Sequence, residues 1–122
     1  MARSSHHVFL AHLAWKQPEV SHHGWVPAAD VYELHAGWMI KIELAGVRPQ
    51  DVSVTLDGDV IRVVGRRRDC VAHETRGCRS LEILYERFER SFHLAGPLDQ
   101  SRIVTEYRDG MLLVKVLPNP EM

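Results

Sequence analysis

The stretch Val52-Ser53-Val54-Thr55-Leu56-Asp57-Gly58-Asp59-Val60-Ile61-Arg62-Val63-Val64 decides the fold. Val52, Val54 and Leu56 alternate with Ser53, Thr55 and Asp57, which is the period of two of a strand with one buried face. Asp57-Gly58-Asp59 then reads as a hairpin turn, with Gly58 free to take a positive φ. Val60, Ile61, Val63 and Val64 form the returning strand, expected to stop at Gly65.

The same grammar repeats on both sides. Downstream, Ile103, Thr105 and Tyr107 alternate, Asp109-Gly110 makes a second hairpin turn, and Met111 to Leu117 form a last strand stopped by Pro118 and Pro120. Upstream, Trp38, Ile40, Ile42 and Leu44 alternate with Met39, Lys41 and Glu43. The loop His35-Ala36-Gly37 joins them to a strand around Val31, and Gly46 with Pro49 closes the pair. Tyr85, Phe88, Phe92 and Leu94 mark another strand, ended by Gly96-Pro97. Between the two halves, Arg66 to about Ser80 is polar and reads as a long loop, with an exposed strand near its end. Short strands with turn signals every ~8–12 residues and no long helical pattern predict an all-β sandwich.

The first residues differ. Met1 to Pro27 hold five of the eight histidines (His6, His7, His12, His22, His23) and two of the three tryptophans, Trp15 and Trp25. Phe9, Leu10, Leu13 and Trp15 would line one side of a short helix that Pro18 ends or bends. The expected organisation is a short flexible arm over 1–27 with exposed apolar side chains, a sandwich over 28–118 and a brief tail over 119–122.

Bulk properties bound the function. At 122 residues the chain is one domain in size, and 45% hydrophobic content suffices for a core. A formal charge of -1 gives no global pull toward nucleic acid or anionic membrane. No apolar run approaches the ~20 residues of a spanning helix, so a cytoplasmic protein is expected. Two cysteines, Cys70 and Cys78, do not make a disulfide framework and read as free thiols.

Candidate chemistry is sparse. The pairs His6-His7 and His22-His23 lack a Cys or carboxylate at ligand spacing, so no metal or other cofactor is expected. His73 lies between the cysteines, but no third group or oxyanion site accompanies it, so no catalytic residue is assigned and no enzymatic activity is expected. Arg66-Arg67-Arg68 has no interleaved aromatics for base stacking and reads as a solvated loop. Arg90, between Phe88 and Phe92, calls for a carboxylate partner, within the chain or at an interface.

Three segments carry a resemblance. Leu44-Ala45-Gly46-Val47-Arg48-Pro49-Gln50-Asp51-Val52-Ser53-Val54 is similar to an L-P-G-V-x-x-E-D-I-x-V pattern. Phe88-Glu89-Arg90-Ser91-Phe92-His93-Leu94 is similar to F-x-R-x-F-x-L, and Thr105-Glu106-Tyr107-Arg108-Asp109-Gly110-Met111-Leu112 to A-x-x-x-N-G-V-L. In this order they resemble the small heat-shock protein (alpha-crystallin domain) family, bacterial type, across about Ala28 to Pro118. Ala45 departs from the usual Pro and Thr105 from the usual Ala.

The resemblance implies an immunoglobulin-like Greek-key β-sandwich. It implies a strand-exchanged homodimer, here pairing about Cys78–Glu82 with Ala29–Leu34 and involving Ala29, Val31, Cys78, Arg79, Glu82 and Arg90. It also implies a client groove lined by Val54, Leu56 and Val104, acting together with Phe9, Leu10, Leu13, Trp15 and Trp25 of the arm. No I-x-I motif follows Leu117-Pro118, so a dimer or small oligomer is expected rather than a large cage. The implied function is an ATP-independent holdase for unfolding clients, handing them to ATP-dependent refolding chaperones. The alternative is a co-chaperone or adaptor scaffold with one defined partner.

Overall fold

A computed structural model describes residues 24–120. Seven strands build two antiparallel sheets. Strands β1 (Ala29–Glu33), β2 (Trp38–Glu43), β7 (Met111–Pro118) and β6 (Ser101–Arg108) form a four-stranded sheet in the order β1-β2-β7-β6. Strands β3 (Val52–Asp57), β4 (Val60–Arg67) and β5 (Glu86–His93) form a three-stranded sheet in that order. The chain is thus the β-sandwich that its alternation predicts.

The hairpins fall where the turn chemistry puts them. Asp57 pairs with Val60 across Gly58, which takes φ 68°. Arg108 pairs with Met111 across Asp109-Gly110, at φ 51° and 81°, the two positive values a type I′ turn requires. A non-consecutive pairing, β2 with β7, closes the larger sheet.

The core lies between the sheets. Ile40 and Ile42 of β2, Ile61 and Val63 of β4, Phe88 of β5 and Val114 of β7 are fully buried. Each such side chain contributes about 1.5–3 kcal/mol through apolar burial. The inward set of β4 continues past the expected end at Gly65. The strand runs to Arg67, which pairs with Glu86. The three arginines are therefore divided: Arg66 and Arg68 are exposed, but Arg67 has the inward parity of Ile61 and Val63 and is half-buried. A plain solvated loop was the wrong reading for Arg67, because strand parity rather than charge sets its direction.

Candidate functional site: the open strand edges

The edge of β1 is defined by its hydrogen-bond phase. Glu43 N–H donates to Ala28 O at 3.0 Å and Leu34 N–H to Gly37 O at 2.9 Å. Both pairs share the register that sets Asp30 opposite Lys41 and Tyr32 opposite Met39. Bonded and non-bonded pairs alternate in an antiparallel ladder. Ala29, Val31 and Glu33 therefore turn their backbone N–H and C=O away from β2, toward the open side. Val31 is 46% exposed, and Tyr32 beside it is held by Asp30 at 3.4 Å. Lys41 lies over the Tyr32 ring at 5.3 Å; hydrogen bonding to Tyr32, with Asp30 assisting, raises its pKa.

Residues 68–85, between β4 and β5, form the long loop. Only one short 3₁₀ turn, Ala72–Glu74, interrupts it. The strand expected near Cys78–Glu82 is absent from the single chain. Residues 76–83 make no backbone hydrogen bond to any other described residue. Cys78, Arg79 and Glu82 are all exposed, and Ile83 is 60% exposed. A strand needs a ladder, and no described element offers one here. Both cysteines are free and exposed; Arg48 Nη2 donates to Cys70 Sγ at 3.4 Å.

Among the described residues, no carboxylate forms an ion pair with Arg90. It donates to Pro27 O at 2.7 Å and stacks over Phe92 at 4.8 Å. It has inward parity on β5, where the incoming chain supplies a carbonyl at the right height.

The arm's root is the largest correction. Trp25 is not an exposed arm residue: it is 8% exposed and belongs to the core. Its ring meets Phe88 edge-on at 5.5 Å, its backbone N–H donates to Arg87 O at 3.1 Å, and its indole Nε1 donates to Glu86 O at 3.2 Å. Trp25 bridges Phe88 in the parallel sense, so its backbone meets β5 ahead of Ala28. An aromatic residue just after Gly24 and two before Pro27 was the available signal. Phe9, Leu10, Leu13 and Trp15 lie outside the described residues.

The groove positions divide as well. Val54 and Leu56 of β3 are half-buried and pack on the core. Val104 of β6 is 38% exposed and faces away from it. Its neighbours Ile103 and Tyr107 have the core-facing parity, Ile103 opposite buried Val116 and Tyr107 opposite buried Leu112. Ile103, Thr105 and Tyr107 share one face of β6 and Val104 lies on the other. A one-residue shift on a strand selects the opposite face.

The outer face of the small sheet carries charge. Arg62 and Arg87 both reach Glu89, at 2.6 Å and 2.8 Å. Those hydrogen bonds, Arg87's first and then Arg62's, hold the Glu89 carboxyl below the usual range. A cleft of about 530 Å³ opens beside them, lined in part by Ser53, Arg66, Glu86 and Arg87. Arg68 grips Asp51 through two bonds, at 3.1 Å and 3.0 Å. Among the described residues, no group of three or more His, Cys, Asp or Glu side chains is placed to hold a metal ion, and no helix is long and apolar enough to cross a membrane.

The sheet orders leave β1, β6, β3 and β5 as edge strands, and residues 76–83 of the long loop have no backbone ladder to described residues. Residues 30–122 match the model of the Hsp20/alpha crystallin family. The chain belongs to that family.

Among curated relatives, the chain is 28% identical to spore protein SP21 of Stigmatella aurantiaca, over 90% of this chain and 71% of that one. It is 21% identical to small heat shock protein C2 of Rickettsia felis, over 75% of this chain and 59% of that protein's length. Among solved structures, hspA from Xanthomonas axonopodis superposes with a TM-score of 0.65 at 26% identity, covering 79% of this chain and 96% of that one. Heat shock protein 16.0 from Schizosaccharomyces pombe gives 0.68 at 26% identity, covering 77% and 87%. The Hsp20 match starts at Asp30, downstream of Trp25.

Proposed function

We propose that the chain is an ATP-independent holdase that binds unfolding proteins and works as a strand-exchanged homodimer or small oligomer. Membership of the Hsp20/alpha crystallin family supports a chaperone role in general terms. The observations that carry the self-association are the outward-turned backbone of Ala29, Val31 and Glu33 and a loop whose residues 76–83 have no ladder to described residues. Each of those two features is what the other needs: an open edge and an unpaired extended segment satisfy one another by strand addition between copies. Cys78, Arg79 and Glu82 would then lie on a partner's β1. Arg90 belongs to this interface through Pro27, which it ties down just ahead of Ala29.

Clients would be held by apolar contact. Val54, Leu56 and Ile103 offer half-buried surface along β3 and β6, and Phe9, Leu10, Leu13 and Trp15 of the arm add more. Burial at about 25 cal/mol per Å² needs no nucleotide and little sequence specificity. No catalytic group is assigned. The setting is the cytoplasm, and clients would pass from this protein to ATP-dependent refolding chaperones.

The test is light scattering from a heat-labile client, with and without the chain at equal subunit mass and no nucleotide. Suppressed aggregation is expected. Unchanged aggregation, with a single stoichiometric partner recovered from extracts, would replace the holdase by an adaptor with one defined partner.

A further inference from the structure

Arg67 occupies an unusual position. It is half-buried at the end of β4, and among the described residues no carboxylate forms an ion pair with it. Burial pushes its guanidinium pKa down from the ordinary value, yet an arginine stays charged. Its neighbours are carbonyls and rings. Nε and Nη2 donate to Leu84 O at 3.1 Å and 2.5 Å, and Nη1 donates to Ala45 O at 3.1 Å. One face lies over Trp25 at 4.2 Å, and Tyr85 is at 5.6 Å. Trp25 in turn donates to Glu86 O.

Three separate pieces of chain therefore meet on one side chain: the arm's root at Trp25, the turn after β2 at Ala45, and the return of the long loop at Leu84–Glu86. The loop return is also strained. Glu86 is held at φ 73°, a left-handed conformation that is unfavourable for a side-chain-bearing residue. Such strain persists only where surrounding contacts enforce it. Upstream of Leu84, residues 76–83 have no backbone bonds to described residues that would share the task.

We propose that Arg67 is a coupling joint: it seats the arm's root and the loop's return together, so that the two segments open and close as one unit. The physical basis is shared acceptors and a shared stacking face. If Trp25 leaves, Arg67 loses its ring and becomes wetter. If Leu84 leaves, Arg67 loses two of its three bonds and its hold over the Trp25 ring loosens. Coupling of this kind is reciprocal. Whatever captures the loop therefore biases the arm, and whatever captures the arm biases the loop. The joint goes beyond the holdase reading and does not depend on it, because its test reads backbone opening and not client protection.

The experiment is native-state hydrogen exchange on the full chain at fixed concentration. It follows the Trp25 amide and indole protons, the amides of residues 85–87, and core amides of β2 and β7. In the parent, the Trp25 and 85–87 protons should share one opening equilibrium below the global one. Arg67→Lys keeps the charge but loses the fork and the stacking plane, and should accelerate both sets together by about tenfold or more while core amides keep their rates. Trp25→Phe, which keeps a ring but removes the indole donor, should accelerate residues 85–87 across the joint. The joint is overturned if Arg67→Lys moves only one of the two sets, moves neither, or moves the core equally.

Discussion

At the residue scale, the informative positions are those where backbone and side chain constrain each other. Gly58 and Gly37 both have positive φ, at 68° and 105°. A Cβ on Gly58 meets nothing within 4 Å, while one on Gly37 falls 2.1 Å from Val116 O, which is backbone. Gly58→Ala should cost about 1–2 kcal/mol, the left-handed penalty alone. Gly37→Ala must also displace β7 and should cost clearly more; urea midpoints of the two variants check the order. Composition made Gly58 legible through its Asp-Gly turn, whereas the close approach at Gly37 depends on a strand 79 residues later and left no local trace. Glu89 has a pH signature. Its carboxyl is held low by Arg87 and Arg62, so the folded pKa lies below the unfolded one. The stability it adds is full above the unfolded value of about 4.3 and is lost as pH falls through the folded value. Glu89→Gln should be less stable than the parent at pH 7, and the gap should close on going to pH 3. A gap unchanged between those pH values would mean the two ion pairs do not set the carboxyl's affinity for protons.

At the element scale, the strands were legible and their edges were not. Alternation gives a strand's faces, so Ile40, Ile42, Ile61 and Val63 were readable as core. Which backbone groups of β1 point outward depends on the phase of its ladder with β2, and sequence carries no such phase. The loop failed for the opposite reason: a segment such as Cys78–Glu82 is a strand only when another edge completes it. The ladder phase makes a clean test. Proline at Val31 removes an N–H that faces the open side, leaving the β2 ladder whole. Proline at Asp30 removes one that bonds to β2. Val31→Pro should keep the far-UV spectrum and thermal transition of a folded domain and size as a monomer at concentrations where the proposed homodimer of the parent forms. Asp30→Pro should lose about 1–3 kcal/mol of fold stability, because it leaves Lys41 O without its donor. A Val31→Pro protein that stays dimeric would show that copies meet somewhere other than the β1 edge.

At the scale of the whole molecule, the decisive residue is Trp25, which precedes Ala28 in sequence and yet lies in the core. Composition placed the break at Pro27, because histidines and breakers cluster before it. The structure moves Trp25 from arm to core, since a large ring with Phe88 and Arg67 as neighbours gains more from burial than from remaining in solvent. Two truncations then separate two roles that one would confuse. Removing residues 1–23 leaves Trp25 and its bonds to Glu86 and Arg87 in place. Removing residues 1–25 takes away a core aromatic, worth about 3–5 kcal/mol by analogy with large-to-small core changes. At roughly 4–8 °C per kcal/mol for a domain of this size, the longer truncation should melt at least ten degrees lower. The shorter one should melt within a few degrees of the parent. Client protection measured on the 1–23 deletion, at a temperature where its domain is still folded, then reports the contribution of residues 1–23, Phe9, Leu10, Leu13 and Trp15 among them. Protection equal to the parent's would assign client binding to the β3 and β6 surface. Its loss, with the thermal transition intact, would assign it to the arm.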